Sequence, residues 1–321
     1  MINFLKTYAL FISMMIGIVF HFIFVDVSFV TKYFMDEPLK DITFITKYML
    51  FLMLLIVYCK VDFRQFKWKR WHVILLTIQF TVCMLFYILV HKFDLRIAEG
   101  GLICLLAPTA TSAPVITGLL GGTVAGLITY SVSSNLLAAF FAPLYFSLIG
   151  AHGTGAEDLS FFEAFLTICQ KAFPLIFGPF VCALFLKRFI RPAYDFLRRK
   201  QGISFWLWTI ALVLLMSRTT ADLLAMDPAE RPAAFNMALV ALLCCLAQFT
   251  AGRKLGKLYH NKVASGQAYG QKNTILAIWM AQTFFNPVVA IAPATYVLWQ
   301  NLVNSYQLSK HRRGLRKDQE N

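Results

Sequence analysis

The chain has 321 residues, 59% hydrophobic and only 14% charged, with a net charge of +14. Soluble domains carry about 25% charged residues, so a soluble globular domain is excluded; repeated apolar runs of about 20 residues mark an all-α polytopic membrane protein. The basic residues gather in loops between those runs, which reads as membrane topology in a lipid bilayer rather than as a nucleic-acid footprint.

Ten apolar segments follow in chain order, at roughly 8–26, 43–59, 71–91, 101–119, 123–149, 164–186, 203–224, 234–252, 267–284 and 287–306. The first has no small-residue cleavage site and reads as a retained span rather than a signal peptide. Between segments, 21 Lys and Arg fall on the side of the N-terminus, the 60–70, 187–200 and 253–262 loops and the tail; only 5 fall on the other. The positive-inside rule therefore puts both termini in the cytoplasm of a cell (inner) membrane, and requires an even number of spans, which ten satisfies.

The polar break at Gly150–Leu159 divides the chain into 1–150 and 151–321, five spans each. An odd number of spans per half makes the halves enter the membrane from opposite sides, as inverted repeats require. The third and eighth segments each carry a Gln-Phe pair, Gln79-Phe80 and Gln248-Phe249.

The fourth segment is interrupted by Pro108 and Pro114, with Thr109, Thr111 and Ser112 between them. After Gly121-Gly122, the fifth carries Thr129 and Ser133 on one helix face, widened by Tyr130, Ser134 and Asn135. Such oxygens suit a cation or a hydrogen-bonded solute; alternatively, they are small residues that let membrane helices pack closely. Gln79 reads as a ligand or as an interhelical hydrogen bond. In the sixth segment, Lys171 lies near the outer end and reads as a snorkelling side chain.

The ninth segment opens on Ser265-Gly-Gln-Ala-Tyr-Gly-Gln-Lys-Asn, where Gly266 and Gly270 can unwind the helix beside Lys272. An ionisable group at membrane depth is a functional-site hypothesis by default, with snorkelling to the headgroups as the alternative. Breaks at matched positions, fourth and ninth, point to a midplane site of a secondary transporter. The seven cysteines form no CxxC pair or metal-ligand spacing, and neither HExxH nor GxSxG occurs. No metal, cofactor or enzymatic activity is read here.

The broken fourth span, the polar fifth span ending in Ala142-Pro143, Pro174-Leu-Ile-Phe-Gly178, and Gly270 with Asn273 resemble the bile acid:sodium symporter family. The resemblance implies ten helices in two inverted repeats. Spans 3–5 and 8–10 would form a core, and spans 1, 2, 6 and 7 a panel, with broken helices 4 and 9 crossing. It implies an organic-anion substrate, bile acid-like or a small carboxylate. Sodium-using members usually read Glu-x-Gly-x-Gln-Asn at the ninth-span break, where this chain reads Ala268-Tyr-Gly270-Gln-Lys272-Asn273. The family's Ser-Asn pair falls on Ala113-Pro114, while Thr111, Gln79, Thr129 and Ser133 match or stand near ligand positions. The sodium site is thus degraded at Ala113, Pro114, Ala268 and Lys272. An ammonium about 4 Å from a sodium ion repels it by about 4 kcal/mol at an effective dielectric near 20.

The expectation is a secondary active transporter of an organic anion, working by alternating access and not requiring sodium. Lys272 replaces the bound cation or carries a proton, so H+ is the coupling ion considered before Na+. The alternatives are a sodium symporter with rearranged ligands, or a non-transporting sensor of the same fold, which the short tail after Ser309 disfavours. The expected site comprises Gln79, Thr111, Ser112, Thr129, Ser133, Lys272 and Asn273, with Pro108, Pro114, Gly266 and Gly270 as helix breakers. Oligomeric state is not legible.

Overall fold

Backbone amides and carbonyls that cannot reach water must bond within the chain, and long apolar runs do so as helices. A computed structural model describes residues 15–25, 38–60, 66–150, 160–199, 201–226, 228 and 231–320. The regular structure among them is helical, apart from a single bridge between Thr109 and Lys272.

Thirteen helices follow the π-helical turn His21–Val25: α1 (Pro38–Lys60), α2 (Arg70–Val90), α3 (Leu95–Leu106), α4 (Ala113–Leu119), α5 (Val124–Leu148), α6 (Phe161–Ile176), α7 (Gly178–Phe189), α8 (Arg191–Arg199), α9 (Gln201–Leu224), α10 (Arg231–Leu258), α11 (Lys262–Gly270), α12 (Thr274–Phe284) and α13 (Ile291–Glu320). A 3-10 turn, Pro287–Ala290, precedes α13. Starts are set by local chemistry. The Asp94 carboxylate accepts from Ile97 N at 3.0 Å to open α3, and Ser160 with Glu163 forms a capping box at α6.

Among the described residues, three helices, α2, α5 and α10, are long and apolar enough to cross a membrane, and α6 with α7, bent by 43°, makes a fourth candidate. Shorter apolar stretches lie at Ile45–Cys59, Thr209–Ala221 and Thr274–Phe284. The segment expected at 8–26 lies partly outside the described residues. The bend between α6 and α7 was not anticipated; it falls at Phe177, between Pro174 and Pro179, which disrupt the helical ladder.

Two packing groups emerge. Helix α1 packs on α9, α7 and α8, while α10 packs on α11, α13 and α3, and α2 packs on α3. Helix α12 touches both groups, meeting α13 and α3 on one hand and α9 and α1 on the other. Helices α10 and α11 approach closely, where glycines remove the side chains that would separate them. A Cβ at Gly252 would stand 2.6 Å from the Ser265 carbonyl oxygen, and one at Gly256 would overlap the Ser265 hydroxyl. That hydroxyl donates back to Gly252 O at 2.9 Å and to Asn261 O at 2.7 Å.

Candidate functional site

Helix α3 cannot continue past Leu106, because Pro108 lacks an N–H and disfavours helical geometry at Ala107, which sits at φ −48°, ψ 134°. Four carbonyls, Cys104 to Ala107, are left without intrahelical donors, facing a buried interior. Side chains from two other helices, and Lys272 from the break between α11 and α12, supply the donors. Gln248 Nε2 donates to Cys104 O at 3.3 Å, and Lys272 Nζ donates to Leu105 O at 3.1 Å. Gln79 Nε2 donates to both Leu106 O and Ala107 O at 3.0 Å. The negative end of the α3 dipole therefore holds the Lys272 ammonium directly, the placement that favours a cation.

The second break is built against the first. Helix α11 ends at Gly270, and the extended Gln271 carries the chain alongside residues 108–110. Asn273 N donates to Pro108 O at 2.7 Å, and Ala110 N donates to Gln271 O at 2.8 Å. The Thr109 hydroxyl donates to Ala268 O at 2.7 Å, the Tyr296 hydroxyl to Gly270 O at 2.8 Å, and Lys272 N to Gln300 Oε1 at 2.9 Å. Both breaks thus use a glutamine and a tyrosine from neighbouring helices. Tyr130 donates to Gln79 Oε1 at 2.9 Å beside the first, and Gln248 donates to the Tyr296 hydroxyl at 3.2 Å beside the second.

Lys272 is 1% exposed, so its ammonium does not snorkel, whereas Lys171 is exposed. Its nitrogen lies 5.1 Å from the centre of the Tyr269 ring, and Cys83, Cys104 and Cys244 are the ionisable groups facing it. Among the described residues, no carboxylate pairs with it.

The other expected site residues divide. Asn273 caps α12, accepting from Leu276 N at 3.3 Å, and its Nδ2 is buried without a partner. Ser112 accepts from Gln271 Nε2 at 2.9 Å, and Gln271 Oε1 is likewise buried and unmet. Thr111 lies half-buried in the first break, between Pro108 and Pro114. Thr129 and Ser133 are not brought to Lys272. Their hydroxyls donate one turn back within α5, to Ala125 O at 3.2 Å and Thr129 O at 2.8 Å, the local bonding that competes for such side chains in a helix. Ala113 and Ala268 are fully buried. Gly270 ends its helix as expected, but Gly266 lies within α11, where a Cβ would strike the Arg253 side chain; its smallness serves packing.

Sequence reasoning missed Gln271, Gln300, Tyr269 and Tyr296. Gln300 carried the one available signal, an amide inside the apolar segment 287–306, the same signal that singled out Gln79.

The two helix breaks bond to each other, and secondary transporters build solute sites from such discontinuous helices. The model of the sodium bile acid symporter family matches residues 47–224, more than half of the chain. The chain belongs to that family. Its members are membrane transporters of the symporter type and not enzymes, so the chain is a multi-pass membrane protein with a small-molecule substrate. No curated protein matches the chain. The family match covers the first break and ends before the second, so Lys272 lies beyond the matched residues.

Proposed function

We propose that the chain is a secondary transporter of an organic anion that needs no sodium, with the Lys272 ammonium standing where related carriers bind a cation. The observation that carries this reading is the bond from Lys272 Nζ to Leu105 O at the end of α3. It puts a tethered positive charge on the carbonyls of a broken helix. With no carboxylate beside it among the described residues, that charge is offset only by backbone dipoles and the Tyr269 ring, which leaves it available to an anion. The unmet Asn273 Nδ2 and Gln271 Oε1 add polar atoms at the same crossing. Gln79, Thr111 and Ser112 complete the site. Lys272 either serves as a fixed cation or carries the coupled proton.

The same reading takes 1–150 and 151–321 as inverted repeats of five spans, ten in all. The paired use of Gln79 with Tyr130 and of Gln248 with Tyr296 supports it. The grouping of α1 with α7 to α9, against α2, α3, α10, α11 and α13, supports a panel and a core that move relative to each other. The distribution of basic residues supports cytoplasmic termini in a cell (inner) membrane.

The test is uptake of bile acid-like anions and small carboxylates into proteoliposomes under separate sodium and proton gradients, comparing the unsubstituted protein with Lys272→Gln. The expected result is sodium-independent uptake that Lys272→Gln abolishes or uncouples from protons. A strict sodium requirement in the unsubstituted protein overturns the reading and leaves family membership intact.

A further inference from the structure

The Gln267 side chain of α11 reaches α13, and the residues it meets there are amides where apolar residues would pack more simply. Gln300, Asn304, Gln307 and His311 recur at spacings of four, three and four, one face of α13. Gln300 Oε1 accepts from Lys272 N, and Gln267 Nε2 of α11 donates to Asn304 Oδ1 at 3.0 Å and to Gln307 Oε1 at 3.3 Å. Gln267, Gln300 and Asn304 are 1%, 4% and 3% exposed. Gln307 and His311 are partly exposed, and His311 lies against the Gly121 turn. Successive turns of α13 thus carry the row from partly exposed Gln307 and His311 to Gln300 at the backbone of Lys272.

Its hydrogen-bonding capacity is not met within the protein. Gln267 Oε1 and Asn304 Nδ2 are buried with no partner, an acceptor and a donor on the two facing helices. Exchanging the amide oxygen and nitrogen of both residues still leaves one donor and one acceptor unmet. Buried unmet polar atoms beside further amides are what internal water satisfies.

We propose that this row lines a hydrated path through which water, and with it protons, passes between the C-terminal face of the protein and Lys272. The path rests on the reading of Lys272 as the transport cation. The titratable groups facing Lys272 are Cys83 on α2, Cys104 on α3, Cys244 on α10 and Tyr269 on α11, with His311 of α13 at the outer end of the row. The path gives a buried ammonium a route for proton exchange that does not require the core to move.

The path is tested with Asn304→Cys and Gln267→Cys, one on each wall, and Val297→Cys as a fully buried control on α13. A small water-soluble methanethiosulfonate reagent is applied to vesicles from the C-terminal face, with the unsubstituted protein as background. Both wall variants are expected to be modified and Val297→Cys to resist. Wall variants that transport but stay unmodified overturn the proposal. Should neither variant insert, hydroxyl-radical footprinting on the unsubstituted protein answers the same question. Tyr296, one turn from Gln300, is then oxidised while the equally buried Tyr58 is not; equal protection of both overturns the path. If the walls label but Lys272→Gln leaves uptake unchanged, the path stands and the role of Lys272 falls. The converse result removes the path alone.

Discussion

Replacing Lys272 by methionine separates a charge kept for transport from one kept for stability. The substitution keeps the length and removes the ammonium, so three interactions go. They are a charged hydrogen bond to Leu105 O, worth about 1.5–3 kcal/mol, a cation–π contact with Tyr269 worth about 2 kcal/mol when desolvated, and a helix-end dipole term of up to about 2 kcal/mol. Against this, the cost of holding an ion out of water, several kcal/mol, disappears. The two sides cancel to within about 2 kcal/mol, and apolar replacements of buried charges are often neutral or stabilising. For a chain of this size the thermal midpoint is expected to move by no more than about 5 °C in either direction. Transport has no such compensation. An anion about 4 Å from the ammonium loses about 4 kcal/mol of attraction at an effective dielectric near 20, about a thousandfold in affinity. The assays are thermal unfolding in detergent and anion uptake in proteoliposomes on the same preparation. A variant that transports like the unsubstituted protein, or that unfolds while unsubstituted protein is stable by a wide margin, refutes the reasoning: the first makes the charge irrelevant, the second makes it structural.

Gln79→Leu strips the donor from Leu106 O and Ala107 O together, and is expected to cost about 2–4 kcal/mol, read as a lowered unfolding midpoint. Gly252→Ala forces a methyl group to within 2.6 Å of the Ser265 carbonyl and is expected to destabilise by about 1–3 kcal/mol, with uptake reduced because α11 is pushed from its place; an unchanged midpoint contradicts the packing argument. Ala268→Glu combined with Lys272→Gln restores the carboxylate and amide pattern of sodium-using relatives, and uptake is expected to become sodium-stimulated, whereas Ala268→Glu alone pairs with Lys272 and gains no sodium dependence. At the α6 N-terminus, the Ser160 hydroxyl and N–H hold the Glu163 carboxyl below its usual value of 4.5. The cap therefore contributes above that value and is lost as pH falls through the depressed one; Ser160→Ala is expected to raise the Glu163 titration midpoint toward 4.5, measured by NMR.

The breaks were legible because prolines and glycines change backbone chemistry locally, wherever the rest of the chain lies. Pro108 removes a donor from any helix that contains it, and Gly270 ends one. What fills the vacated positions was only half legible. Gln79 and Lys272 stand out as polar groups in apolar runs, and their burial follows from that cost. Their partners do not: Leu105 to Ala107 are recruited as backbone carbonyls, and an apolar sequence gives no sign that its carbonyls are unmet until the next proline is folded into place. Thr129 and Ser133 misled for the complementary reason. Their i, i+4 spacing, which puts them on one face, also lets each hydroxyl reach the carbonyl one turn back, so the spacing that suggested a ligand stripe satisfies them locally. Gly266 looked like part of a break because glycine serves helix ends and close packing alike; only the nearness of Arg253 decides between them.

A tethered cation changes the energetics of the crossing. In a sodium-coupled carrier, the carbonyl ends of the broken helices gain their counter-charge only when an ion binds. Anion and ion affinities are then linked reciprocally. On the proposed reading of Lys272 as a tethered cation, the counter-charge is present without a bound ion, so an anion gains it without borrowing from a sodium gradient. Such a carrier equilibrates or exchanges its substrate, unless the charge itself can be removed and restored during the cycle. Removal requires a proton acceptor within reach of a group that is 1% exposed. Among the described residues facing Lys272 there are thiols and a tyrosine but no carboxylate; on the proposed path, water along Gln300, Asn304 and Gln307 is the route. Whether uptake follows a proton gradient is therefore decided in the same place as whether those amides are wet. Asn304→Leu, which closes the row while leaving the ammonium untouched, is expected to abolish proton coupling and spare anion exchange.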